Sequence, residues 1–226
     1  MTRAGTDLSV MPARRSKDPQ PSVAAVRPAS TIAFAGDEAL VAGLRRGLPA
    51  AKAAFFDAYH SLARSILLHV LGRDAELNDV LHDVFVNAFR SISSLRDASA
   101  LKSWLARVTV FTARRVLRSR RRRAWLRLFV NEEQEALYEP RTTEDAHTSY
   151  VLRVVYSLLA RLSANEQLVF GLYYIDGRSL LEIAGLTGVS LSTVKRRMSQ
   201  ARASFLRDAA KHPLLSDWIL EEPHDP

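Results

Sequence analysis

No cysteine occurs in the 226-residue chain. Disulfides, thiol nucleophiles and zinc sites built on thiolates are therefore excluded. The six histidines, His60, His69, His82, His147, His212 and His224, show no paired metal-ligand spacing. Glycine is scarce, nine residues in all, and none gather into a phosphate-cradling loop. The longest apolar stretches, 65–71 and 151–162, are short or interrupted by Arg153 and Arg161, too little to cross a bilayer. The amino-terminal segment lacks the continuous apolar core of a secretory signal. No metal, cofactor, catalytic residue or membrane insertion is expected, and the expected location is the cytoplasm.

What the chain does have is apolar material and positive charge. It is 47% hydrophobic, enough for real cores, and carries 32 Lys+Arg against 24 Asp+Glu, a formal charge of +8. That balance favours a polyanionic partner, most simply nucleic acid.

From Asp37 onward nearly every segment reads as helix. Asp37 is a cap candidate for a short helix to about Arg46. A second helix follows Pro49 and stops at Gly72. Asp74 is a cap candidate for a third, from Ala75 to about Arg90. After the polar loop Ser91–Ser99, Ser99 can cap a fourth that continues to about Trp125. Composition then shifts: residues 114–127 hold eight arginines and no acid, whereas 131–146 hold six acids against Arg141 alone. Opposite charge blocks around Pro140 read as a domain boundary. Beyond it, Ser163…Glu166 and Ser179…Glu182 have capping-box spacing. Asp176-Gly177 supplies a turn, Gly188 follows a short helix, and Ser190 opens the last long one, which ends before Pro213.

The expected fold is all-α, two small helical domains joined by a flexible acidic linker. Residues 1–34, rich in Pro, Ala, Ser and Arg, read as a disordered tail. Residues 35–126 form the first domain, 127–147 the linker, 148–212 the second domain and 213–226 an acidic tail.

The most specific pattern lies over 179–206. A short helix (Leu180, Leu181, Ile183, Ala184), a turn (Thr187-Gly188-Val189-Ser190) and a helix burying Val194, Met198, Ala201 and Phe205 have the spacing of a helix-turn-helix, whose second helix enters the DNA major groove. Its other face displays Ser192, Thr193, Lys195, Arg196, Arg197, Ser199, Gln200 and Arg202. Arg and Lys pair with guanine edges and Gln with adenine, while hydroxyls and further cations suit phosphates.

Two stretches of the first domain add to this. Over 75–90, Leu77, Val80, Leu81, Val84 and Ala88 form a burying stripe, and Phe85 and Phe89 join the core. Asp79, His82, Asp83, Asn87 and Arg90 face outward, where acids ordinarily just solvate a helix. Over 100–125, Trp104, Leu105, Val108, Phe111 and Thr112 precede Arg114, Arg115, Arg118 and the run Arg120 to Arg123. Arginines beside aromatics can hold a nucleic-acid backbone and stack on unpaired bases. Trp104 is open to two readings, core or contact.

Asp79-Val-Leu-His-Asp-Val-Phe85 and Ser103-Trp-Leu-Ala-Arg-Val108, leading into the Arg run, resemble the second conserved region of the sigma-70 family. Leu162 to Phe170, Leu180-Leu-Glu-Ile-Ala184 and Ser192-Thr-Val-Lys195 resemble its fourth region. With these two regions alone, over roughly 35–125 and 148–210, the chain is similar to the extracytoplasmic-function (ECF) sigma factors. The resemblance implies an alternative sigma factor: a non-enzymatic subunit that binds core RNA polymerase and directs promoter recognition, melting and transcription initiation. It places Asp79, His82, Asp83 and Val86 on the clamp helices of the largest polymerase subunit, and the fourth-region module on the flap region. It gives Arg96, Asp97, Ala98, Ser99, Lys102, Trp104, Arg107, Arg114, Arg115 and Arg118 to the −10 element. Ser192, Thr193, Lys195, Arg196, Arg197, Ser199, Gln200 and Arg202 go to the −35 element. An anti-sigma factor is the expected regulator. The sequence departs from the common pattern at His82-Asp83, where Gln-Glu is usual, at Phe111, where many relatives have Asn, and at Gln200, often basic.

The mechanism so implied uses binding energy in place of a nucleotide: unstacking a base costs a few kcal/mol, and a pocket for the extruded base repays it. Two elements about 17 base pairs apart are separated by nearly 60 Å at ~3.4 Å per pair. A linker of roughly twenty residues reaches about 70 Å when extended. The rival reading is a helix-turn-helix regulator that binds duplex DNA without being a polymerase subunit; it leaves the 75–90 and 100–125 helices without a purpose. A nucleic-acid-processing enzyme lacks its clustered acid–base or metal groups.

Overall fold

Helix ends fall largely where the sequence supplies breakers and caps. The computed structural model describes residues 34–127, 143–213 and 215. The amino-terminal tail apart from Phe34, most of the acidic linker, and the acidic carboxyl tail apart from Pro213 and Leu215 lie outside the described residues. All regular structure among the described residues is helical.

α1 (Asp37–Arg45) starts from Gly36, and Asp37 is its first residue, so its carboxylate sits at the positive end of the helix dipole and makes no side-chain cap bond. α2 (Pro49–Leu71) has Pro at its first position, where a missing N–H costs nothing, and stops at Gly72 with φ +81°. α3 (Leu77–Ser91) begins two residues later than expected. The Asp74 carboxylate accepts the Glu76 N–H at 2.7 Å and spends itself on the turn before the helix. The loop after α3 is two short 3₁₀ turns, Ile92–Ser94 and Ala98–Ala100. Asp97 caps the second, accepting both the Ser99 N–H (2.9 Å) and the Ser99 hydroxyl (2.7 Å), so Ser99, expected to cap the fourth helix, lies inside this turn. α4 (Leu101–Arg127) follows directly.

The second module opens with α5 (Thr143–Leu159), which starts inside the stretch read as linker. α6 (Ala164–Phe170) carries the Ser163–Glu166 capping box and runs on through one wide π turn, Gly171–Ile175. α7 (Leu180–Thr187) carries the Ser179–Glu182 box, and α8 (Leu191–Ala209) is capped by the Ser190 hydroxyl. Between them Gly188 adopts φ +69°, the left-handed conformation that a side chain would strain, so the turn reverses within three residues.

In the first module α1, α2, α3 and α4 enclose Phe55, Ile66, Leu67, Val84, Leu101, Leu105 and Val110, all essentially inaccessible. Each such side chain contributes about 1.5–3 kcal/mol by leaving water. Phe55 touches Phe85 and Phe89 edge-on. Thr109 and Thr112 are buried on α4 and return their hydroxyls to the carbonyls one turn back, each at 2.9 Å.

The modules do not stand apart. Ala164, Leu168, Val169, Leu172, Ile183, Leu186, Val194 and Met198 of the second belong to the same continuous apolar cluster as the first. The sequence reading expected two tethered bodies; the structure packs α6 and α7 against α4, and the π turn against α2. The reason is visible in composition: α6 is apolar on more than the one face that α8 covers, burying Leu168, Val169 and Phe170 in succession.

Candidate nucleic-acid interface

α8 presents the cleanest of three polar surfaces. Val194, Met198 and Ala201 are buried, as the sequence stripe requires, while Lys195, Arg196, Ser199, Gln200 and Arg202 are exposed along the opposite side. Two of the expected contacts are already engaged at the helix start. Ser192 and Thr193 hydroxyls lie 3.0 and 2.9 Å from the Ser190 hydroxyl, gathered around the cap. Arg197 is a correction to the sequence reading of the outward face: it is half-buried. It stands three residues after Val194 and four before Ala201, which on a 3.6-residue helix shares the buried side.

The first module offers a cleft of about 850 Å³. One wall is the loop and the first turns of α4, with Ser94, Arg96, Asp97, Lys102, Trp104 and Arg107. Trp104 is half-buried, and its indole N–H donates to the Ser94 hydroxyl at 3.3 Å. The ring is thus neither core nor free: it is pinned edge-on at the loop with part of its surface in the cleft. Ala98 is half-buried and Ser99 exposed. The Asp97 carboxyl is held below the usual carboxylate range by the Ser99 hydroxyl and the Ser99 N–H. The Arg45 guanidinium donates to the Leu95 carbonyl and ties α1 to this loop.

Farther along α4, the arginines divide. Arg115 and Arg118 are exposed; Arg115 lies 3.7 Å from Asp83 across an open surface. Arg120 meets Asp74 at 2.9 Å and Glu76 at 3.4 Å, and Arg123 lies 3.7 Å from Glu76, so part of the run pins α4 to the start of α3. Arg114 is half-buried and its Nε has no hydrogen-bond partner. Burial, and then the neighbouring charges of Arg118 and Arg197, hold its pKa below the ordinary arginine value. Three cations thus meet where α4 approaches α8. Phe111, half exposed, sits under the Gly188 turn.

A third surface lies on α3. Asp79 and His82 are exposed, Asp83 is half-exposed and Val86 half-buried, while Leu77, Val80, Leu81, Val84 and Ala88 face the core. Asn87, read as outward, instead donates to the Thr112 hydroxyl at 3.3 Å.

Sequence reasoning missed the residues that join the modules. The Arg107 Nε–H donates to the Gly185 carbonyl at 3.0 Å, and Arg121 to the Leu162 carbonyl. The Tyr156 hydroxyl, His69 and Gln167 also bridge the two. No local signal marks them, because each acts on a partner about 40 to 107 positions away.

Among the described residues no group of His, Asp and Glu could hold a metal ion, and no helix is long and apolar enough to cross a membrane. The two surfaces offer an exposed cationic helix face with hydrogen-bonding tips, and a cation-rich cleft beside an aromatic ring.

The comparisons with known proteins agree with that division. Sigma-70 region 2 matches residues 55–123 and sigma-70 region 4 matches residues 152–205. The chain is 28% identical over 173 residues to the ECF RNA polymerase sigma-E factor of Haemophilus influenzae, covering 74% of this chain and 91% of that protein. It is 29% identical over 163 residues to the ECF RNA polymerase sigma-E factor of Escherichia coli, covering 69% and 83%. Its fold is similar to CnrH in complex with the cytosolic domain of CnrY, with TM-score 0.50 and 23% identity over 76% of this chain and 97% of that one. It is also similar to the sigma factor RpoE of Bartonella quintana in complex with the anti-sigma factor NepR, with TM-score 0.50 and 22% identity over 68% and 92%. With both regions present in the family's order, on helices that display cations and an aromatic-lined cleft, the chain belongs to the sigma-70 family as an ECF sigma factor, an alternative specificity factor for transcription initiation.

Proposed function

We propose that this sigma factor works in the cytoplasm by docking α3 on core RNA polymerase and reading two promoter elements with α8 and α4. Asp79, His82 and Asp83 form the polar docking face for the clamp helices of the largest subunit, with Val86 at its edge. The second module rests on the flap region. Lys195, Arg196, Ser199, Gln200 and Arg202 read the −35 duplex, and Ser192 and Thr193 sit beside the helix start, where backbone N–H groups favour a phosphate. Arg197 joins them once the module is free of α4. Arg96, Asp97, Ala98, Ser99, Lys102, Trp104 and Arg107 receive an unstacked base of the −10 element, and Arg114, Arg115 and Arg118 hold the strand. No bond is made or broken by the chain: stacking on an aromatic returns about 1–3 kcal/mol per base, the order of what unstacking costs. An anti-sigma protein is the expected regulator.

The observation that carries this reading is the pairing of a half-exposed Trp104 and a cationic cleft with a separate exposed recognition face, which a duplex-only regulator does not need. Run-off transcription with purified core polymerase on a promoter library tests it. Transcripts that appear only when the protein is added, from templates sharing two spaced elements, are the expected result. Duplex binding without polymerase-dependent transcription would reject it.

A further inference from the structure

Two helices that share an apolar seam bring their positive charges together along its edge. Val194 and Met198 of α8 lie in one apolar cluster with Val110, Ala113 and Leu117 of α4. On α4, Arg114 and Arg118 follow Phe111 at offsets of three and seven residues, which sets the three along one side of the helix. On α8, Arg197 falls between Val194 and Met198 in sequence and is half-buried. The Arg114 guanidinium is near enough to Arg118 and Arg197 for their charges, after burial, to depress its pKa. Its Nε is buried without a hydrogen-bond partner.

The acids around α4 are engaged elsewhere. Asp83 faces Arg115, while Asp74 and Glu76 take Arg120 and Arg123. Among the described residues no ion pair includes Arg114, Arg118 or Arg197. A partly buried charge with no counter-charge costs stability, and a bound anion removes that cost. Guanidinium is the side-chain group best matched to phosphate oxygens, which it meets with paired N–H bonds.

We infer that the seam between α4 and α8 is a binding site for a nucleoside diphosphate, with its phosphoryl groups on Arg114, Arg118 and Arg197 and its base on the ring of Phe111. Charge sets the phosphate count. A phosphate monoester carries about −1.5 to −2 near neutrality, short of three guanidinium charges, and a second phosphoryl group makes up the difference. Phe111 supplies the rest. Its ring is half exposed, and its tip lies 3.9 Å from where a side chain on Gly188 would begin, so the adjoining turn brings no side chain to cover it. Every base has a face that stacks on such a ring. That gives a purpose to Phe111, at the position where many relatives have Asn. Residues of both modules hold the ligand, so the site exists only where α4 and α8 pack. It is therefore distinct from the grip on a strand stretched between elements about 60 Å apart.

The melting temperature of the full chain, followed against inorganic pyrophosphate and against ADP at constant ionic strength, tests the site. Both should raise it saturably. Arg118→Gln and Arg197→Gln should each weaken both ligands roughly tenfold or more. Arg64→Gln, which removes the same charge from an exposed position on α2, should leave both unchanged. Phe111→Leu should weaken ADP roughly tenfold and leave pyrophosphate where it was. Should Arg197→Gln lose helix content by circular dichroism, the exposed Arg118 carries the test. No saturable rise with pyrophosphate, or an equal loss in Arg64→Gln, would overturn the site. Full affinity in a folded Arg197→Gln would overturn its place between the modules, and ADP unmoved by Phe111→Leu would overturn the stacked base. The inference does not rest on the strand-capturing role, so each of these failures leaves the transcription test standing.

Discussion

On α8 the side chains suited to DNA are exposed, the half-buried Arg197 apart, and those near the helix start are organised by the helix's own cap. On α4 the same residue types are spoken for by the protein: Arg107 holds a carbonyl of α7, Arg114 is half-buried among cations, and Arg120 and Arg123 are pinned to the start of α3. A recognition helix for duplex DNA meets a rigid partner whose groove pattern is preformed, so a fixed, free face suffices. The role proposed for α4, capturing a strand, involves a ligand that does not exist until the duplex opens. Part of its cationic run is accordingly engaged by the fold, while Arg115 and Arg118 stay exposed. The comparison separates a face left free by the folded chain from one whose cations the fold itself partly engages.

The largest effect expected from breaking the comparison is on the α4 side. Arg114, Arg115 and Arg118 replaced together by Ala should lower open-complex formation at every promoter, by roughly ten- to a hundredfold at physiological salt. The log–log salt slope should fall by about 2, three phosphate contacts at ~0.7 each for a single strand. Thermal stability should hold or rise, because two of the three crowded cations leave. A slope that stays where it was would show these arginines to be bystanders, and permanganate footprinting read against salt titration decides it.

On the α8 side the effect should be smaller and confined to some promoters. Gln200→Ala removes one pair of hydrogen bonds to a base edge, worth about 1–3 kcal/mol of discrimination. Transcription should drop at promoters whose −35 element presents the matching adenine and hold at the rest, with no change in salt slope. A uniform loss across the library would place Gln200 among the backbone contacts and erase the contrast between the two helices.

The all-helical class, the two capping boxes, the Gly188 turn and the stripe Val194, Met198 and Ala201 were legible because each is a local pattern with a fixed period or offset. The outward face of α3 was mostly legible for the same reason, and Asn87 escaped because its partner Thr112 lies 25 residues on. Trp104 resisted assignment since burial of an indole depends on a loop hydroxyl, Ser94, whose approach no periodicity encodes. Arg197 was misplaced by treating all polar residues of α8 as outward, when its offset from Val194 and Ala201 already put it inward. The packing of the modules was illegible: Tyr156, Gln167 and Gly171 look like ordinary helix residues until the carbonyls of Leu68, His69 and Val70 arrive beside them.

The smallest effect comes from α7, the element that adjoins both surfaces, since it precedes α8 and walls the cleft. Ser179→Ala removes the hydroxyl that accepts the Glu182 N–H at 3.2 Å and donates to its carboxylate at 2.7 Å, a loss of about 1 kcal/mol in unfolding free energy. The pH dependence has a definite sign. The Glu182 carboxyl is held below the usual range by the Ser179 hydroxyl, then by the Ser179 N–H, with Arg178 adding a smaller share. A carboxyl depressed in the folded state adds stability that is present above its unfolded value and disappears as pH falls through the folded one. The gap in melting temperature between wild type and Ser179→Ala should therefore be widest near neutrality and narrow on acidification below the ordinary glutamate range. A gap that is constant with pH would mean that Ser179 acts only as a backbone cap, and that the carboxylate at the cleft wall is free to answer to Arg178 or to a bound strand.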